Sequence, residues 1–217
     1  MLAGRGHEVI VPTLAGHGGS LEELAATGWG DWVATAEAAG DRASWTGGPV
    51  VAVGVSMGGT LACHLAATRP GIAGLAVVNP FVDPPAPSFR QILEDMLDQG
   101  VTALPAIGGD VADPAAVCEG ALEGLPVACV LSLCHGLDDL AARLGAITCP
   151  TLVLTSRTDH VVPPVSSDVL AAAVAGPVER VWLERSFHVA TLDHDAGVVE
   201  ERIAAFVDGV AGRLPSA

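Results

Sequence analysis

The stretch Gly54-Val55-Ser56-Met57-Gly58 decides the fold of this chain of 217 residues, because two glycines flank a serine at the spacing of a tight turn. The apolar run 49–53 precedes this stretch, and the alanine-rich run 60–67 follows it. The pattern predicts a strand, a sharp turn and a helix, with the serine hydroxyl lifted above the edge of a sheet. Since such a turn leaves little room for side chains, we expect both glycines to be required.

Strand-like and helical segments alternate along the rest of the chain, which predicts a single α/β domain over 1–217 with a mostly parallel sheet and helices on both faces. The predicted strands are 7–12, 49–55, 72–79, 150–156 and 178–183. The predicted helices are 30–43, 57–68, 125–144, 164–175 and 194–213. The segment 83–124 interrupts the alternation with a proline-rich start and an amphipathic run. We interpret it as a small cap over a pocket, with an ordinary surface excursion as the alternative.

Composition excludes several classes of function. Ten basic and 25 acidic side chains give a net charge of −15, which argues against a nucleic-acid-binding face and favours a solubilising acidic surface. No apolar run approaches the roughly 18 residues of a membrane helix, so we expect a cytoplasmic protein without stable membrane insertion. The five cysteines form no C-x-x-C pair, and we expect reduced, packed thiols and no metal site.

A serine becomes a strong nucleophile when a histidine takes its proton and a carboxylate orients that histidine. After a serine at a strand–helix turn, the chain order of these partners is acid and then histidine. Asp159 and His188 each follow one of the last two predicted strands, so their side chains are expected at the carboxyl edge of the sheet with Ser56. Asp83, which follows an earlier predicted strand, is the alternative acid.

Four stretches together resemble the α/β-hydrolase superfamily, and in particular small bacterial carboxylesterases and monoacylglycerol lipases. They are Pro12-Thr13-Leu14-Ala15-Gly16-His17-Gly18, Gly54-Val55-Ser56-Met57-Gly58-Gly59, Asp159-His160-Val161-Val162-Pro163 and His188-Val189-Ala190-Thr191-Leu192-Asp193. The first two occur across many hydrolases, and the last two together are more specific to esterases and lipases. The likeness runs from the first residue to the last predicted helix and is weakest over 83–124.

The resemblance implies roles for four residues. Ser56 would be the nucleophile, Asp159 the acid and His188 the base, while the backbone N–H of Met57 would donate to the oxyanion. It also implies a small cap over an acyl-chain pocket and neither a metal nor an organic cofactor.

The chain departs from this family pattern at its start. In the family, a strand and a His-Gly-aromatic loop precede the helix that leads into the 7–12 segment, and the loop supplies a second oxyanion donor. Here the N-terminal strand and the oxyanion loop are missing, since residues 1–7 resemble the end of that helix. We therefore expect that the sequence begins at an internal methionine and that the working protein is longer, with a further central strand.

The expected function is that of a serine carboxylic-ester hydrolase that acts through an acyl-enzyme on Ser56, with a small-molecule acyl ester as substrate. Apolar residues of the predicted cap favour medium acyl chains: Leu93, Met96, Leu97 and Ile107. The alternatives are a catalytically impaired, hydrolase-like binding protein and a thioesterase or acyltransferase of the same fold. The complete set of serine, acid and histidine argues against the binding protein, whereas the missing oxyanion loop argues for it.

Overall fold

The computed structural model describes residues 1–105, 109–116 and 124–212. The strands in these ranges are β1 (Val50–Val55), β2 (Ile72–Val78), β3 (Ala103–Pro105), β4 (Gly124–Pro126), β5 (Thr151–Ser156) and β6 (Val178–Leu183). The α-helices in the same ranges are α1 (Leu21–Ala25), α2 (Trp29–Ser44), α3 (Met57–Thr68), α4 (Pro87–Asp98), α5 (Val127–Ala141), α6 (Val165–Ala173) and α7 (Ala196–Ala211).

Four of the strands form a parallel sheet in the order β1-β2-β5-β6. The inner strands β2 and β5 are almost entirely buried, as expected of strands that are covered on both faces. Since all four strands run the same way, the residues that follow them lie along one edge of the sheet. That edge holds Ser56 after β1 and the segments that follow β5 and β6.

The sheet separates two apolar layers. Leu75 and Val77 of β2 point into a layer that includes buried residues of α3 and α6. Ala76 and Val78, the alternate residues of β2, point into a second layer that includes buried residues of α7. The predicted mostly parallel sheet with helices on both faces is confirmed.

Residues 7–12, which the sequence predicts to be a strand, form no strand in the structure. They face β1 across an apolar groove of about 710 Å³, and Val11 and Val53 are exposed on its two sides. The main-chain groups of a strand need a neighbour within hydrogen-bonding reach, and β1 pairs only with β2 among the described strands. The prediction of this strand was wrong, because an extended apolar segment also needs a neighbouring strand to pair with and its own sequence does not provide one.

The segment after β2 carries α4 and a short antiparallel pair, β3 with β4. Helix α4 packs on α5 through Leu93, which lies in one cluster with Val127 and Cys134. Ile92, on the other side of α4, is exposed. Ile107, which we assigned to the apolar side of the cap, lies outside the described residues, and the cap over 83–124 stays a prediction.

Candidate active site

Ser56 occupies the turn between β1 and α3 with φ 52° and ψ −124°. A positive φ is strained for serine, and the turn is held by hydrogen bonds on both sides. The Ser56 N–H donates to the carbonyl of Val78, and the Thr60 N–H donates to the carbonyl of Ser56. The serine side chain is therefore presented by a backbone that its neighbours hold in an unfavourable conformation.

The two glycines of the turn have different environments. A Cβ on Gly54 would lie 2.1 Å from the carbonyl oxygen of Gly58, so only glycine fits there. A Cβ on Gly58 would meet nothing within 4 Å. The expectation that both glycines are sterically required was wrong for Gly58, because the space that its Cβ would occupy is open.

Ser56, His188 and Asp159 form one hydrogen-bonded chain. Ser56 Oγ–H donates to His188 Nε2 at 2.9 Å, and His188 Nδ1–H donates to Asp159 Oδ2 at 2.8 Å. A carboxylate only accepts, so Asp159 fixes the tautomer that leaves Nε2 free to accept the serine proton. The side chains of His188 and Asp159 are 8% and 2% exposed, which shields the chain from water. His188 meets Asp159 and not Asp83, the alternative acid.

The loop that carries His188 is held by carboxylates. The N–H groups of Arg185 and Ser186 donate to Asp195, and that of Phe187 donates to Asp193. The next N–H, that of His188, donates to Asp110 Oδ2 at 3.0 Å. The loop has no regular secondary structure to satisfy its backbone, so side chains do so.

The carbonyl groups of the same loop are held from the sheet side. Asn79, which directly follows β2 with φ 46°, donates through Nδ2 to the carbonyl of His188 at 2.8 Å and to Ser156 Oγ at 3.0 Å. Ser156 Oγ–H in turn donates to the carbonyl of Phe187 at 2.7 Å. Sequence reasoning missed Asn79 and Ser156, although each is a polar residue at the end of an apolar strand.

Two of the loop's carboxylates have pKa values below the ordinary value. Burial alone would raise the pKa of Asp193, but hydrogen bonds from four backbone N–H groups outweigh it and lower the pKa. The donors are Ala112, Phe187, His194 and Asp113. Burial would likewise raise the pKa of Asp110, and its hydrogen bonds with His160 and with the N–H of His188 lower it instead. Both side chains are therefore charged when they hold the loop.

Met57 is the first residue of α3, where N–H groups have no partner within the helix and the helix dipole is positive. Met57 directly follows Ser56 in sequence, so its N–H lies at the positive end of the α3 dipole. The described parts of the chain contain no group of three or more His, Cys, Asp or Glu residues that could hold a metal ion. No helix among the described residues is long and apolar enough to cross a membrane.

Two known enzymes are similar to this chain in sequence. The chain is 37% identical over 210 residues to a thermostable monoacylglycerol lipase of Bacillus sp. strain H-257, covering 95% of this chain and 82% of that protein. It is 25% identical over 210 residues to a carboxylesterase of Bacillus subtilis strain 168, covering 94% of this chain and 82% of that one.

Two solved structures are similar to this chain in fold. A structure from work on the metagenome-derived lipolytic enzymes LipS and LipT aligns with a TM-score of 0.84 and 32% identity over 90% of this chain and 80% of its own. A monoacylglycerol lipase of Paleococcus ferrophilus aligns with a TM-score of 0.65 and 17% identity over 93% of this chain and 81% of its own. The predicted resemblance to α/β-hydrolase esterases and lipases, and with it the enzyme class, is confirmed.

A family model described as serine aminopeptidase, S33, matches residues 1–195. This match covers most of the chain and includes the three residues of the hydrogen-bonded chain. The chain belongs to the serine aminopeptidase S33 family of α/β hydrolases.

Proposed function

We propose that the chain hydrolyses carboxylic esters through an acyl-enzyme formed on Ser56. His188 Nε2 takes the proton of Ser56 Oγ as the oxygen attacks the ester carbonyl, and the Met57 N–H donates to the oxyanion that results. His188 then gives the proton to the departing alcohol oxygen, which leaves the acyl group on Ser56. A water molecule, deprotonated by His188, releases the acid and restores the serine. Asp159 holds the imidazole and stabilises its cationic form.

The observation that carries this proposal is the unbroken chain Ser56 Oγ–His188 Nε2 and His188 Nδ1–Asp159 Oδ2, with distances of 2.9 and 2.8 Å. A positioned acid–base group of this kind contributes roughly 10²–10⁴-fold to the rate. No side chain has to change its rotamer before proton transfer.

We further propose that the substrate is a small ester with one medium-length acyl chain. The relatives named monoacylglycerol lipase support a single acyl chain, and the amphipathic helix α4, as part of a cap over 83–124, supports an apolar acyl site. The reaction needs no metal or organic cofactor, because the serine, histidine and backbone N–H supply all its steps. The net charge of −15 argues against nucleic acid as a partner. The free thiols of Cys63, Cys129, Cys134 and Cys149 support action in the reducing cytoplasm.

The test is turnover of p-nitrophenyl esters of increasing acyl length by the wild type and by Ser56→Ala. We expect a maximum at medium length and a loss of turnover of at least 10³-fold in Ser56→Ala. Ser44→Ala, which removes an exposed serine at the end of α2, is the matched control and should keep wild-type activity. Equal activity in Ser56→Ala and the wild type would reject the mechanism.

Two further substrates separate the reaction classes of this fold. Amino-acid p-nitroanilides report aminopeptidase activity, after which the family is named, and acyl thioesters report thioesterase activity. We expect kcat/KM for the ester to exceed both. A fluorophosphonate probe should label the wild type at Ser56, and a failure to label would support a binding protein without catalysis.

A further inference from the structure

The segment 109–116 is joined to both loops of the proposed triad, although it belongs to neither. Its Asp110 accepts hydrogen bonds from the backbone N–H groups of His188 at 3.0 Å and His160 at 3.1 Å. His188 is the proposed base, and His160 directly follows the proposed acid, Asp159. One carboxylate therefore spans the two loops whose separation sets the geometry of the triad.

Three further contacts fix Asp110 in this position. The ring Nδ1–H of His160 donates to its second oxygen, Oδ1, at 2.7 Å, and the N–H of Val189 donates to its backbone carbonyl at 3.0 Å. Two residues further on, the Ala112 N–H donates to Asp193, which also accepts from Phe187 in the His188 loop. The segment is thus tied to the loop and to Asp193 through Asp110, Ala112 and Asp113.

The Asp110 side chain is largely buried. Its side chain is 15% exposed, so little water competes for the oxygens that accept from the backbone. Hydrogen bonds from N–H groups to a charged carboxylate are roughly twice as strong as those between neutral groups. The backbone of His188 is accordingly held on one side by Asp110 and on the other by Asn79.

We propose that Asp110 is a positioning residue for the hydrolysis, which holds the loops of Asp159 and His188 in register. This inference rests on the proposed function. Asp110 touches neither Ser56 nor the imidazole of His188, so it acts through the backbone that carries the ring. A movement of about 1 Å in a reacting group can reduce a rate about 10²-fold, so loss of this link should lower kcat.

The experiment compares Asp110→Ala with Asp113→Ala, using the full chain and a p-nitrophenyl ester that the wild type hydrolyses. Asp113 lies in the same segment, and among the described residues its carboxylate contacts Ala115 and His194. Both changes remove one negative charge from one segment, but only the first removes a bond to the His188 loop. We expect kcat to fall about tenfold or more in Asp110→Ala, with KM changed less than threefold, and to stay within twofold of wild type in Asp113→Ala.

A second readout follows the loop itself. Hydrogen exchange of the backbone over residues 184–190 should be faster in Asp110→Ala than in Asp113→Ala, because the N–H of His188 has lost its acceptor. Asp110→Asn keeps an oxygen for the backbone N–H groups, so we expect it to recover most of the lost kcat. If Asp110→Ala does not fold, Asp110→Asn carries the test with an expected fall in kcat of about threefold.

The inference is overturned if the two alanine variants have the same kcat, or if Asp110→Ala changes KM alone. It is also overturned if the alanine variant does not fold and Asp110→Asn has wild-type kcat. These results differ from a failure of the proposed function, in which the wild type itself would not turn over the ester.

Discussion

Alanine in place of Gly54 should disable the enzyme, whereas alanine in place of Gly58 should not. A Cβ on Gly54 would lie 2.1 Å from the carbonyl oxygen of Gly58, 2.3 Å from its carbonyl carbon and 2.5 Å from the nitrogen of Gly59. These are backbone atoms, so no change of rotamer relieves the overlap. The first turn of α3 has to move away from β1.

The size of that movement sets the expected effect. Ordinary van der Waals contact begins at 3.4 Å, so the start of α3 has to withdraw by about 1 Å, and a displacement of that size can cost about 10²-fold in rate. The change is equivalent to about 2.7 kcal/mol in the activation barrier. The overlap should also lower the free energy of unfolding by about 1–3 kcal/mol.

The assay is kcat for a p-nitrophenyl ester together with urea denaturation for each variant. Gly58→Ala is the matched control, because its Cβ meets nothing within 4 Å and alanine is favoured over glycine within a helix by up to about 1 kcal/mol. We expect wild-type kcat and equal or higher stability for Gly58→Ala. A kcat for Gly54→Ala within threefold of wild type, or equal damage in both variants, would refute the reasoning.

Three further predictions concern stability. The folded-state pKa of Asp193 is depressed, so the stability that its charged carboxylate contributes is present above the ordinary pKa of 3.8 and is lost as the pH falls through the lower, folded value. The difference in urea midpoint between wild type and Asp193→Asn should therefore shrink from pH 7 to pH 3. A constant difference would contradict this. Asn79→Asp keeps the shape of the side chain but loses both Nδ2–H donors, which should lower the free energy of unfolding by about 1–3 kcal/mol. An unchanged urea midpoint would argue against the hydrogen bonds that Nδ2 donates. A Cβ on Gly136 would lie 2.3 Å from the ring of Trp29, so Gly136→Ala should lower the melting temperature. Gly209→Ala should not, because a Cβ there would meet nothing within 4 Å. Equal melting temperatures for the two variants would contradict the clash.

The regular elements near the site could be predicted because their signals are local. The strand predicted over 178–183 is β6 to the residue, the helix predicted over 57–68 is α3, and the strand predicted over 150–156 begins one residue later as β5. Pro150 and Pro177 directly precede β5 and β6 and mark where these strands begin. Ser56, Asp159 and His188 each follow a strand of one parallel sheet, so the topology brings all three to the same edge.

The support of the site could not be predicted, because it depends on residues far apart in the chain. Asp110 reaches an N–H 78 positions away, and Asn79 reaches a carbonyl 109 positions away. An isolated aspartate in an irregular segment has no periodicity to mark it. The strand predicted over 7–12 was wrong for a related reason. Strand formation depends on a neighbouring strand, which residues 7–12 do not themselves encode.

The acidic surplus of the chain has a use inside the site as well as on the surface. Asp110, Asp193 and Asp195 supply acceptors to four successive N–H groups that no strand or helix satisfies. The same carboxylates therefore fix the backbone that carries the imidazole of His188. Removing one of them should therefore act on the rate through the position of the imidazole.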